Sequence, residues 1–82
     1  MTQNGATRDS AAKVIDARGL NCPLPVLRLR KALLTAAPGA AIELLATDRA
    51  ALKDVPAFCA AHGHAVDILA QGPELRFRVT AV

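Results

Sequence analysis

A chain of 82 residues is enough for one small domain, close to the lower size at which a single hydrophobic core sustains a fold. Hydrophobic residues make up 52% of it, yet only Phe58 and Phe77 are aromatic, so the core is aliphatic and a stacking platform for nucleic acid is lacking. The net charge of +3 leans toward acidic partners; two cysteines without a secretory pattern point to a reducing cytoplasm, and no apolar run approaches the roughly 20 residues of a membrane helix.

Met1 to about Ala12 is small and polar, and reads as a disordered tail ahead of one domain spanning residues 13–82. Lys13 to Ala17 forms a short strand, with Ile15 and Ala17 on one face and Val14 and Asp16 on the other. A turn at Gly19 leads to Cys22-Pro23-Leu24-Pro25. Each proline lacks a backbone donor and is tolerated in a first helical turn, so a helix begins between Pro23 and Pro25. Its apolar stripe, Val26, Leu29, Leu33 and Ala37, carries it to about Ala37, and Pro38-Gly39 ends it.

Ala41 to Thr47 is the second strand, with Ile42, Leu44 and Ala46 on one face. A helix continuous through the next ten residues would hold Pro56 in its interior, at about 3 kcal/mol. Asp48 to Lys53 is therefore expected as a turn or one helical turn, with Asp54 capping a fresh helix from Val55 to His62. Two strands follow, Ala65 to Gln71 and Glu74 to Ala81, joined by a short turn into an antiparallel hairpin. Val66, Ile68 and Ala70 alternate along the first, and Leu75, Phe77 and Val79 along the second. One apolar face per strand implies helices on one side of the sheet only. The fold class is α+β: a two-layer sandwich, strand-helix-strand-helix-strand-strand, with a four-stranded mixed sheet and two helices on one face.

Cys22 is the candidate reactive group. At the head of a helix the macrodipole favours a thiolate, the nucleophilic form of cysteine. Position 25 is proline, so Cys22 has no nearby partner with which to close a disulfide, and sulfur chemistry here requires a second molecule. This favours a carrier over a self-contained redox enzyme, and no organic cofactor is implied. Cys59 falls on the apolar face of the second helix with Leu52 and Val55, and reads as core. A zinc site from Cys22, Cys59, His62 and His64 lacks the usual ligand spacing. Asp16 and Arg18 flank the turn, where Asp16 accepts from nearby amides; Arg18 either completes the turn or favours an anionic sulfur. Arg76 and Arg78 suggest nucleic acid, but Asp67 on the neighbouring strand points to a charge-balanced, solvated face.

The stretch Asp16-Ala17-Arg18-Gly19-Leu20-Asn21-Cys22-Pro23-Leu24-Pro25 resembles the Cys-Pro-X-Pro signature of the TusA/SirA sulfur-carrier family. The likeness continues through Pro38-Gly39, Thr47-Asp48, Asp54-Val55-Pro56-Ala57-Phe58-Cys59 and Gly63-His64. It implies a fold like the C-terminal domain of translation initiation factor 3, with sheet order 1-2-4-3. It also implies a persulfide carried on Cys22, around which Asp16, Arg18, Gly19, Pro23 and Pro25 are the candidate supporting residues. A cysteine desulfurase or rhodanese would be the donor, and an acceptor protein would serve tRNA thiolation, molybdenum cofactor synthesis or sulfur oxidation. Leu24 stands where the tRNA-thiolation members carry an acidic residue. The alternative is a small regulatory or RNA-binding module in which Cys22 is incidental. Parallel first strands open their following loops at one end of the sheet, which brings Asp48 toward Cys22. With Leu27 and Arg30, one and two turns along the helix, Asp48 completes the expected donor-docking surface.

Overall fold

The computed structural model describes residues 13–82, and the expected tail at residues 1–12 lies outside the described residues. Six elements follow in order: β1 (Lys13–Ala17), α1 (Leu24–Leu33), β2 (Ala41–Ala46), α2 (Ala51–His62), β3 (Ala65–Gln71) and β4 (Leu75–Thr80). The sheet order is β1-β2-β4-β3. β1 and β2 are parallel, with Ile15 opposite Leu44, and β4 runs antiparallel to both β2 and β3. This is the α+β sandwich that the periodicity implies, and the order 1-2-4-3 that the resemblance implies.

Alternation in the strands delivers the core. Ala17, Ile42, Leu44, Ala46, Leu75, Phe77 and Val79 project from one face of the sheet onto Leu29 and Ala32 of α1 and Ala51, Val55 and Cys59 of α2. Phe77 is the largest of the side chains that are wholly buried. The opposite face carries Glu43, whose carboxylate accepts from both Arg76 and Arg78 across β2 and β4. The counter-charge for these arginines is thus Glu43, supplied by the strand on the other side from Asp67.

Three expectations change at the level of elements. The second helix is continuous, with Pro56 inside it. It begins at Ala51 with Ala50 at the cap, and Asp48, not Asp54, holds the turn ahead of it: the Asp48 carbonyl accepts the Ala51 N–H at 3.0 Å, and its Oδ1 accepts the Ala50 N–H at 3.0 Å. Pro56 has no amide for the Leu52 carbonyl, a loss of about 3 kcal/mol in a helix interior. Against this, Ala51, Val55 and Cys59 form one buried row at intervals of four, flanked by the partly buried Leu52 and Phe58. Burying a valine-sized side chain contributes about 1.5–3 kcal/mol, so packing of this row is of the size that offsets the proline. Breaking the helix at Asp54 would turn Ala51 away from that row.

The first helix ends at Leu33, short of Ala37. Thr35 and Ala36 donate to the Ala32 and Leu33 carbonyls, tightening the chain into three-residue turns, and the Thr35 hydroxyl also reaches Ala32. Pro38 disfavours helical angles at Ala37, so the last turn unwinds ahead of it. In β3 the register slips between Ile68 and Ala70: Ile68 faces Phe77, but Ala70 faces Arg76 and Gln71 faces Leu75. The extra residue, Leu69, moves Ala70 to the charged face and leaves both Ile68 and Leu69 exposed on this edge strand.

Candidate functional site

The loops after β1 and β2 meet at one end of the sheet, as parallel strands require, and the first of them carries Cys22. Gly19 sits at φ +80°, a left-handed angle at which an L side chain is strained. Its N–H donates to the Thr47 hydroxyl at 2.8 Å, which ties the two loops together. The Cys22 N–H donates to Asp48 Oδ2 at 2.7 Å. The Cys22 thiol donates to Asp54 Oδ2 at 2.9 Å, from the first turns of α2. Pro23 lies at the cap position of α1, after a cis Cys22–Pro23 peptide, and Pro25 is buried in its first turn.

Cys22 is exposed and Cys59 is buried. Their surroundings differ accordingly. The hydrogen bond to Asp54, loss of hydration, and the charges of Asp54 and then Asp48 all push the Cys22 thiol above its ordinary value. Burial alone pushes up Cys59. The direction at Cys22 reverses the expectation from the helix end, and the geometry gives the reason. Pro23 and Pro25 offer no amide, the Leu24 N–H is bonded to the Asn21 carbonyl at 2.8 Å, and the Leu20 N–H to that of Ala17. With the Cys22 amide held by Asp48, the sulfur bonds to a carboxylate rather than to the positive end of the helix. Asp48 is itself held below the usual carboxylate range by the Ala50 and then the Cys22 amide.

Asp16 and Arg18 form a forked pair, with Nε and Nη2 donating to the two carboxylate oxygens, each at 2.9 Å. The Arg18 side-chain bond, and then its amide, lower Asp16 to about 2. A third guanidinium nitrogen reaches Glu74 in the β3–β4 turn at 3.1 Å. Arg18 is therefore committed to two carboxylates, which is turn and loop structure. Leu27 and Arg30 lie exposed on α1. Arg30 borders a groove of about 190 Å³ with Leu33, Leu34, Phe58, His62 and His64, at the far end of the helices from Cys22.

The loop arrangement joins Cys22, Asp48, Gly19 and the two prolines, and sets Arg30 apart. It also adds Asp54, Thr47 and Glu74, which the residue patterns leave unassigned to the site. Asp54 reads in the sequence as a helix cap, whereas in the continuous α2 it lies in the first turns and accepts from the Cys22 thiol. The family model described as sulfurtransferase TusA matches residues 13–81. This chain belongs to the TusA family.

Individual members are clearly related. The sulfur carrier protein TusA of Pseudomonas aeruginosa (strain LESB58) is 42% identical over 55 residues, covering 67% of this chain and 70% of that one. YrkI of Bacillus subtilis (strain 168) is 42% identical over 62 residues, covering 76% and 80%. A crystal structure of a SirA-like protein from Desulfitobacterium hafniense has the same fold, with a TM-score of 0.74 over 83% of this chain and 95% of its own at 24% identity. Among the described residues no helix is long and apolar enough to cross a membrane, and no three His, Cys, Asp or Glu side chains stand together as a metal ion would need.

Proposed function

We propose that this chain is a sulfur carrier that accepts sulfane sulfur as a persulfide on Cys22 and passes it to an acceptor protein. Relatives that bear the name sulfur carrier protein support the role. The observation that carries the site is that Cys22 is the exposed one of the chain's two cysteines, at the meeting of two loops. In loading, the Cys22 sulfur attacks the terminal sulfur of a donor cysteine persulfide. The new S–S bond forms as the donor's own S–S bond breaks. The donor cysteine leaves reduced and takes the Cys22 proton, while Cys22 becomes the inner sulfur of the new persulfide. No outside oxidant enters. Delivery repeats the step with the acceptor's nucleophile attacking the terminal sulfur.

The donor is of desulfurase or rhodanese type in this reading, the setting is the cytoplasm, and the acceptor serves tRNA thiolation, molybdenum cofactor synthesis or sulfur oxidation. Gly19, Pro23 and Pro25 shape the loop and helix start, while Asp16 and Arg18 fix the loop base. Leu27 and Arg30, with Asp48 at the rim of the sulfur, form the contact surface. The test is intact-mass analysis after incubation with a desulfurase plus cysteine, or with polysulfide. Wild type and Cys59→Ala gain sulfur mass and Cys22→Ser does not; equal loading of Cys22→Ser overturns the assignment.

A further inference from the structure

Resting on that reading of Cys22, we propose that Asp54 is a further residue of the sulfur-transfer site: it holds the Cys22 sulfur as a guarded thiol, released when a donor brings a cationic side chain to the carboxylates of Asp54 and Asp48. The geometry that carries this is an exposed sulfur bonded to one carboxylate, with a second carboxylate on the amide of the same residue. Its thiol is 2.9 Å from Asp54 Oδ2, and the amide of the same residue is 2.7 Å from Asp48 Oδ2. Three backbone donors near it in sequence are bonded elsewhere, Gly19 to Thr47, Leu20 to Ala17 and Leu24 to Asn21, and positions 23 and 25 are prolines. Nothing among these steadies a negative sulfur, and two carboxylates oppose one.

The charged groups around the site agree. Asp54 comes from α2 and Asp48 from the loop before it, and both raise the thiol. On the cysteine's own loop Arg18 is the nearby cation, and it is bonded to Asp16 and Glu74 rather than to sulfur. A guarded thiol reacts slowly with stray electrophiles and oxidants, because the thiolate is the nucleophile. A donor surface with a lysine or arginine placed over Asp54 neutralises the guard, and the attack on the donor persulfide then proceeds with the proton passing to the departing donor cysteine. The same carboxylates repel a persulfide anion once formed, which turns the terminal sulfur outward toward the acceptor. The partner chemistry is thus specified: the cognate donor presents a basic side chain beside its persulfide cysteine.

The test reads resting reactivity apart from sulfur uptake. Iodoacetamide labelling of the full chain, located by peptide mass, is followed against pH for wild type and Asp54→Asn. Below the wild-type midpoint the variant labels faster at Cys22, by roughly fivefold or more, and its midpoint falls. Above that midpoint it labels more slowly, because nucleophilicity declines with thiol basicity at a slope of about 0.4–0.5. This crossing of the two profiles separates a lost guard from a loosened fold, which would speed labelling at every pH and expose Cys59. Unchanged or slower labelling of Asp54→Asn at neutral pH overturns the proposal. A second measurement needs no variant: wild-type Cys22 reacts faster with a cationic methanethiosulfonate than with an anionic one, and the preference shrinks at high salt. Equal rates, or a faster anionic reagent, overturn it equally. Normal persulfide loading with unaltered labelling sinks only the guard, whereas absent loading with crossed profiles sinks only the carrier.

Discussion

At the scale of single residues, the two cysteines show how placement divides one chemistry into two uses. Cys59 is wholly buried in the row it makes with Ala51 and Val55, where a thiol packs as a small hydrophobe. Cys59→Ser puts a hydroxyl there with no assigned partner, at about 1–3 kcal/mol, whereas Cys59→Ala leaves only a small void. Urea unfolding should place the midpoint of the serine variant below that of the alanine variant, with sulfur loading of the alanine variant at the wild-type level. Equal midpoints would show that the site tolerates a polar group. Cys59 was legible in the sequence because helical periodicity aligns it with its neighbours. The ionisation of Cys22 was not, because it depends on Asp48 and Asp54, which are 26 and 32 positions away. Periodicity places a residue on a face, but it does not say which oxygen lies across a gap.

At the scale of elements, the sheet was the most readable part, since alternation along β4 and through Ile42, Glu43 and Leu44 of β2 marks a buried and a solvated face. Where β3 carries an extra residue the alternation misleads, and Ala70 lands opposite Arg76. The helices were less readable, because proline signals two contrary things. Before Pro38 the chain yields to it; around Pro56 the buried row overrides it. The solvated face also holds a pH-dependent device. Glu43 is largely covered, and Arg76 and then Arg78 hold its carboxyl below its ordinary value. A lowered carboxyl contributes stability that is fully present above its unfolded value, about 4.3, and is lost as pH falls through the folded one. Because both arginines are about half exposed, the contribution is small, about 0.5–1 kcal/mol. Glu43→Gln should therefore melt below wild type at pH 7, with the gap closing toward pH 3. A gap that is constant across that range would show that Glu43 stabilises by packing alone.

At the scale of the whole molecule, the candidate reactive sulfur lies at one end of a helix whose outer surface is exposed among the described residues. Leu24, Leu27 and Leu34 are 45%, 49% and 72% exposed, and Lys31 completes their row at spacings of three and four. Arg30 lies beside that row, about 9 Å along the axis from Leu24 at 1.5 Å per residue. Moving away from Cys22, this surface presents carboxylates, then Leu24 and Leu27, then Arg30 and Lys31. Such an ordering of charge fixes the direction of docking more than its strength, and suits a carrier that loads and leaves. Arg30 is exposed and absent from the buried core, so Arg30→Glu should fold as wild type does. Loading by small polysulfide, which needs no docking surface, stays unchanged. Loading by the donor protein slows about tenfold at low salt, with the difference narrowing as salt screens the contact. If the donor loads Arg30→Glu as fast as wild type at both low and high salt, then its contact with α1 stops short of the second turn, and the apolar pair Leu24 and Leu27 remains as the surface to alter next.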